Sequence, residues 1–386
     1  MPSELTPSVS SSRDTASSHD APAAVGLLPD RRRLALRLAL VVAVLGAVVF
    51  AISSLPGLGD VRSRLAEASP SWLVLALVLE IASCLAFVVA FRAIFYRRMP
   101  WKLSYEVGIA VQGTNVLLPS GGAGGLAVAA WALRRGGMPA ERIVRRGVAM
   151  FMLTSSVNFA TAVLAGGLLA LGILSGGGSL AFTAGPAIAA AIVIAGVIAL
   201  PRMLASPTVS SAPRSGRAGR VVAWLRRALH GGIGDAIVLA RTGNPQIILG
   251  SIGYMVLDVA TLAAAFAAIG TVPPVGVLLL AYVVGQLGAL IPLPGGIGGA
   301  DGGLIAALVL YGTPLASAAA AVLAFRAFQL GVPALLGGLA LARLPGVVER
   351  APDFGLMSDA PLTRRTGRET TSRRGRVVAG AGVRAT

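Results

Sequence analysis

The stretch that decides the fold is PLPGGIGGADGG, Pro292–Gly303. Half of it is glycine, and it carries one carboxylate, Asp301. It lies between two apolar segments, VGVLLLAYVVGQLGALI (Val275–Ile291) and LIAALVLYG (Leu304–Gly312). Irregular backbone and a charge between such segments raise the question of what solvent surrounds them.

Composition answers membrane. The chain has 386 residues, a mean hydropathy of +0.79 and 13% charged residues, against about a quarter in soluble domains. Apolar runs recur at Leu34–Leu55, Trp72–Phe95, Val148–Ile173, Leu180–Leu200, Ile247–Ile269 and Pro314–Leu341. Each is long enough to cross roughly 30 Å of hydrocarbon as a helix. Soluble helices carry a polar face, and these runs are apolar all round. Abundant glycine suits polytopic membrane helices.

The polar flanks are read as tails. Residues 1–30 are rich in Ser, Pro and Asp, with no basic start and apolar core of a signal peptide. Residues 345–386 form a basic C-terminal tail. One cysteine, Cys84, permits no intrachain disulfide or cysteine cluster, and His19 and His230 both fall in polar segments. No metal site, no cofactor and no intramembrane histidine catalyst are expected. The net charge of +17 is spread over several loops without interleaved aromatics, which speaks against nucleic acid. The positive-inside rule accounts for it. Arginines gather at 31–37, 92–102, 134–146 and 202–241 and after Arg343, whereas the intervening loops hold only Arg62 and Arg64.

With basic loops on the cytoplasmic side, the chain can be walked. Leu34–Leu55 exits and Trp72–Phe95 returns. Leu103–Leu133 begins and ends at basic loops, with NVLLPSGGAGG in its middle. It therefore reads as a re-entrant hairpin dipping from the cytoplasm. Val148–Ile173 exits, Leu180–Leu200 returns and Ile247–Ile269 exits. Val275–Tyr311 begins and ends at uncharged loops and reads as a second hairpin dipping from outside. Pro314–Leu341 returns. The expected fold is an all-α polytopic membrane protein with about six spanning helices, two opposed Gly-rich re-entrant hairpins and cytoplasmic termini.

The hairpins match each other. VQGTNVLLPSGGAGG (Val111–Gly125) aligns with GQLGALIPLPGGIGG (Gly285–Gly299) at an offset of 174. Gln112 falls on Gln286, and Gly121 and Gly122 fall on Gly295 and Gly296. The helix before each hairpin carries a lone carboxylate, Glu80 or Asp258. This is an inverted repeat: copy one spans about 71–173 and copy two about 246–343, separated by a basic loop at 202–245, within a transmembrane domain of 31–344. Irregular backbone at membrane depth survives only where it is buried or lines a wet cavity. Inverted-repeat transporters place their site where the copies' broken helices meet. Neither glycine cluster is followed by the Lys-Ser/Thr of a phosphate-binding loop.

Charged residues inside the runs are few: Glu80, Asp258, Asp301 and Arg326, with Gln112, Asn115, Asn158, Gln286 and Gln329 as neutral polar companions. A central charge costs about 2.5–3.5 kcal/mol on insertion scales, so such residues face a cavity or pair internally. Asp301 and Arg326 are candidate partners. An arginine that holds a carboxylate at rest can take a phosphate in its place. Gly295, Gly296 and Gly298 offer backbone amides beside them. Glu106, Arg92 and Arg37, near the ends of runs, are read as snorkelling.

LPLPGGIGGAD followed by AVLAFRAF resembles the second signature of the lysylphosphatidylglycerol synthase transmembrane-region family, with Asp301 at the usual Glu position and Arg326 at the Arg position. NVLLPSGGAGG resembles the first signature, from Asn115 through Pro119, but lacks an acidic residue after its glycines. The resemblance implies an integral membrane, flippase-like protein. In fused members aminoacylation belongs to a separate soluble domain, for which the polar segment Arg202–Asn244 has no room.

The expected function is movement of a phospholipid or lipid-linked intermediate across the cytoplasmic membrane, without enzymatic turnover. The expected partners are membrane lipids, anionic or polyprenyl-linked. The alternatives are an ion-coupled exporter of a small solute, an intramembrane enzyme acting on lipid carriers, and an assembly subunit. RVVAWLRRALH (Arg220–His230) reads as an interfacial helix on anionic lipid, with Val221, Val222, Leu225 and Leu229 toward one face.

Overall fold

The computed structural model describes residues 59–118, 122–176, 179–204, 217–288 and 299–350. The expected span Leu34–Leu55, both tails and most of both glycine turns lie outside them. Among the described residues the elements are helices: α1 (Gly59–Ala66), α2 (Pro70–Phe95), α3 (Trp101–Leu117), α4 (Ala123–Arg135), α5 (Ala140–Ala170), α6 (Leu180–Leu204), α7 (Arg217–Arg241), α8 (Pro245–Ala268), α9 (Val275–Gly288), α10 (Gly299–Leu310) and α11 (Leu315–Glu349).

Local chemistry sets the helix starts. Pro70 and Pro245 open α2 and α8 at the position where a missing N–H costs nothing. The Asn244 side chain accepts the Gln246 N–H at 3.0 Å. Four helices are long and apolar enough to cross a membrane: α2, α5, α8 and α11. Helix α6 is apolar over Leu180–Gly196. The hairpin helices are shorter, with 17 and 13 residues in α3 and α4 and 14 and 12 in α9 and α10.

Three boundaries differ from the sequence reading. Helix α5 begins at Ala140, after Pro139 and with Glu141 in its first turn, so Arg142, Arg145 and Arg146 are helical. An acidic residue there complements the helix dipole. Helix α11 continues through Pro333 and Pro345 to Glu349. The polar segment between α6 and α8 is largely the helix α7.

The order long, short, short, long occurs twice, as α2–α5 and α8–α11. The joints match. Gly137 (φ 88°) follows α4 and Gly312 (φ 89°) follows α10, left-handed conformations that suit glycine. Met138 N–H then donates to the Leu133 carbonyl at 3.0 Å, and Thr313 N–H to that of Leu308 at 3.0 Å. Pro139 and Pro314 cap the next helices. Packing is reciprocal: α3 lies against α11 as α9 lies against α5, and α2 and α8 lie against each other. The last two are antiparallel. Ser69 N–H, at the start of α2, donates to Ala268 O, at the end of α8, at 2.8 Å. Gly250, near the start of α8, abuts Ala86 and Ala90, near the end of α2.

Two apolar clusters form the interior. One joins α2, α3, α4 and the start of α5 to the end of α11; the other joins the end of α5 to α8, α9, α10 and the start of α11. Val74 and Val78 of α2, Leu164 of α5 and Ile188 and Ile192 of α6 stay exposed. An apolar surface this extensive marks a membrane-facing protein.

Candidate functional site

The helices that carry the lone charges converge. Helix α10 places Asp301 in its first turn, and α11 places Arg326 opposite, where Arg326 Nε donates to Asp301 Oδ1. Both side chains keep about a fifth of their surface exposed, 22% and 21%. One turn on, Gln329 accepts from Arg326 Nη1 through its Oε1. That fixes the direction of its amide, and its Nε2 donates to Asp258 Oδ2 at 3.0 Å.

Asp258 is the hub. It is 2% exposed. Ser83 Oγ donates to its Oδ1 at 2.5 Å, and Tyr282 Oη to its Oδ2 at 2.8 Å. Gln286, one turn beyond Tyr282 on α9, reaches the same hydroxyl. Glu80, one turn before Ser83 on α2, is also 2% exposed, and its charge and that of Asp258 act on each other. Glu80 Oε2 is buried without a hydrogen-bond partner. Thus α2, α8, α9, α10 and α11 contribute to one polar chain: Asp301, Arg326, Gln329, Asp258 and Tyr282, with Glu80 beside it.

Other candidates lie elsewhere. Gln112 donates to the Cys84 carbonyl at 3.1 Å and so ties α3 to α2. Asn115 accepts the Gly125 N–H at 2.9 Å, clamping the first hairpin across its turn. Gly122 caps α4 at φ 90°. Gly121, Gly295, Gly296 and Gly298 lie outside the described residues. Glu106 does not snorkel: it is buried, and the charges of Arg343 and Lys102 act on it. Arg92, near the end of α2, donates to Met99 O at 2.7 Å with its guanidinium over Trp101.

Sequence reasoning missed Ser83 and Tyr282. Signals existed for both. Ser83 follows Pro70 at the spacing by which Asp258 follows Pro245, and Tyr282 precedes Gln286 by one helical turn.

A family model for the lysylphosphatidylglycerol synthase TM region matches residues 34–337. The chain belongs to this family. No curated protein matches it in sequence. As a member of the lysylphosphatidylglycerol synthase TM-region family it is a multi-pass membrane protein that acts on lipid.

Helix α7 is docked on α5, where Arg145 Nη2 meets Asp235 Oδ1 at 2.6 Å. Gly232 abuts Val148, and Ala228, Ile233 and Ala236 are buried. Trp224 and Leu229 stay exposed; the side chains of Val221, Val222 and Leu225 lie outside the described residues. The amphipathic pattern is therefore satisfied partly by protein. Both partners of the ion pair keep solvent contact, so it is worth about 1 kcal/mol or less. On a Cys84→Ser background, Ala228→Cys is expected to react slowly with a maleimide, and added Asp235→Ala to speed that reaction. Equal rates would show that apolar packing alone seats α7.

Proposed function

We propose that the protein is a flippase-like transporter that moves a phospholipid or lipid-linked intermediate across the cytoplasmic membrane, with both termini cytoplasmic and no enzymatic turnover. The observation that carries this reading is the partly exposed Arg326, set well inside α11 and held by Asp301 and Gln329. Its planar fork suits a phosphate. A phosphate that arrives takes the place of the Asp301 carboxylate, and Asp301 takes Arg326 back when the lipid leaves. Charge on the arginine is thus compensated in both states.

The reading includes a topology of six spans and two opposed re-entrant hairpins. Helices of 12–17 residues extend about 18–26 Å, short of the roughly 30 Å of hydrocarbon. Arg92, Lys102, Arg134, Arg135, Arg142 and Arg343 sit where α2, α4 and α11 end and α3 and α5 begin. That end faces the cytoplasm by the positive-inside rule. The start of α9 follows the end of α8, and the end of α10 precedes the start of α11, at the other end, where Arg64 lines a recess with Ala268 and Gly270. Rocking of one copy against the other would then expose Arg326 to each leaflet in turn.

The test is reconstitution into vesicles with headgroup-labelled phospholipids of several classes. The expected result is that an impermeant reagent reaches inner-leaflet label of one class faster than in protein-free vesicles. Efflux of small solutes with no lipid movement would favour an exporter, and chemical conversion of the lipid an enzyme.

A further inference from the structure

The lipid reading gives Arg326 and Asp301 a task but none to the carboxyl pair deeper in, Glu80 on α2 and Asp258 on α8. The two carboxyls have opposite surroundings. Asp258 receives three donors, from Ser83, Tyr282 and Gln329, an arrangement that holds an anion. Glu80 Oε2 receives none and is buried. A second buried carboxylate with a bare oxygen is far costlier than a neutral acid.

We infer that Glu80 and Asp258 form a proton-binding site, with Glu80 carrying the resting proton, and that the pair takes up a second proton when an anionic headgroup occupies Arg326. This rests on the lipid role of Arg326. The link is Gln329, whose amide is aimed at Asp258 because its oxygen accepts from Arg326. A phosphate that draws Arg326 away releases this amide and cancels the positive charge acting on Asp258. Asp258 then binds a proton from the aqueous phase, so one negative charge enters with one proton. When the lipid leaves, that proton returns to water.

Every described group that bears charge or titrates around the pair fits this account. Helix α2 adds Cys84, α8 adds Tyr254, α9 adds Tyr282, and α11 adds Arg326, behind which stands Asp301 of α10. Helix α3 contributes Gln112, engaged with the Cys84 carbonyl. Ser83 and Tyr282 bring their hydroxyls to Asp258, and Ser83 Oγ also faces the Tyr254 carbonyl at 3.1 Å.

The test uses the full-length protein with short-chain phosphatidylglycerol as the probe. Infrared spectra of lipid-free protein should show a carboxylic-acid C=O band that Glu80→Gln removes and that sodium chloride leaves in place. Adding the lipid should raise acid-band intensity, with net uptake of about one proton per lipid. Affinity should rise by up to about tenfold per unit fall in pH, by linkage. A spectrum unchanged by Glu80→Gln, or a band abolished by sodium, overturns the proton site. Lipid binding without pH dependence overturns the coupling but leaves the role of Arg326 standing. A Glu80 band with no lipid binding at all removes the Arg326 reading and the coupling together, and leaves the proton site. The wild-type readouts stand even if a variant fails to fold.

Discussion

Replacing Arg326 by lysine is expected to slow lipid translocation roughly 10- to 100-fold while the protein still folds. Arg326 serves two directions at once, with Nε on Asp301 and Nη1 on Gln329. The charge survives in lysine, so the buried region gains no uncompensated carboxylate and insertion costs stay similar. What is lost is the fork, which lets one side chain grip a phosphate through two parallel bonds. A hydrogen bond to a charged group contributes about 1.5–3 kcal/mol, and each 1.4 kcal/mol is a factor of ten. Translocation in vesicles, read beside size-exclusion profiles of the variant, checks this. A lysine variant that moves lipid at the full rate would mean that Arg326 acts only as a counter-charge.

The second large effect falls about two turns along α11 from Gln329. At the crossing of α3 and α11, a Cβ on Gly113 would lie 2.5 Å from Gly337 Cα and 2.7 Å from the Pro333 carbonyl. A Cβ on Gly337 would lie 2.4 Å from Gly113 Cα. Those neighbours are backbone, so no side chain can swing aside. Even alanine must push the helices apart; overpacking costs typically 1–3 kcal/mol, occasionally more. Gly113→Val and Gly337→Val are therefore expected to abolish recovery of monodisperse protein. Gly302, on α10 beside Asp301, has nothing within 4 Å of its would-be Cβ, and Gly302→Ala should express normally. Equal expression of all three variants would show that the α3–α11 approach is looser than described. Pro333 belongs to the same crossing. Lacking an N–H, it leaves the Gln329 carbonyl without its usual helix partner, one turn beyond Arg326.

Much of this arrangement was legible in the sequence because charge and glycine are rare in apolar runs. Asp301 and Arg326 stood out as lone opposite charges, and they do meet. The match between Gln112 and Gln286 pointed to two related hairpins. The rotation of each helix was not legible. Helices apolar all round give no phase, so only spacing, from Pro70 to Ser83 as from Pro245 to Asp258 and from Tyr282 to Gln286, tied Ser83 and Tyr282 to this site. Asn115, expected as a ligand residue, accepts the Gly125 N–H across its own turn, whereas the matching position of the second hairpin is Ala289. The basic residues of α5 read as a loop because arginine is equally at home at a membrane surface and on a helix. Pro139 and Glu141 mark the helix start, and Arg145 packs against α7 through Asp235.

The central claim is that the two copies enter the membrane from opposite faces, so that the second hairpin carries Asp301 down to Arg326 from outside. Ala140 and Leu315 test it, being the exposed first residues of α5 and α11, each directly after the capping proline. Each is replaced by cysteine in a Cys84→Ser protein and challenged in intact cells with an impermeant maleimide, before and after the membrane is opened. The account predicts that Leu315→Cys reacts in intact cells and that Ala140→Cys reacts only once the cytoplasmic face is opened. Reaction of both positions from the cytoplasmic face alone would contradict it.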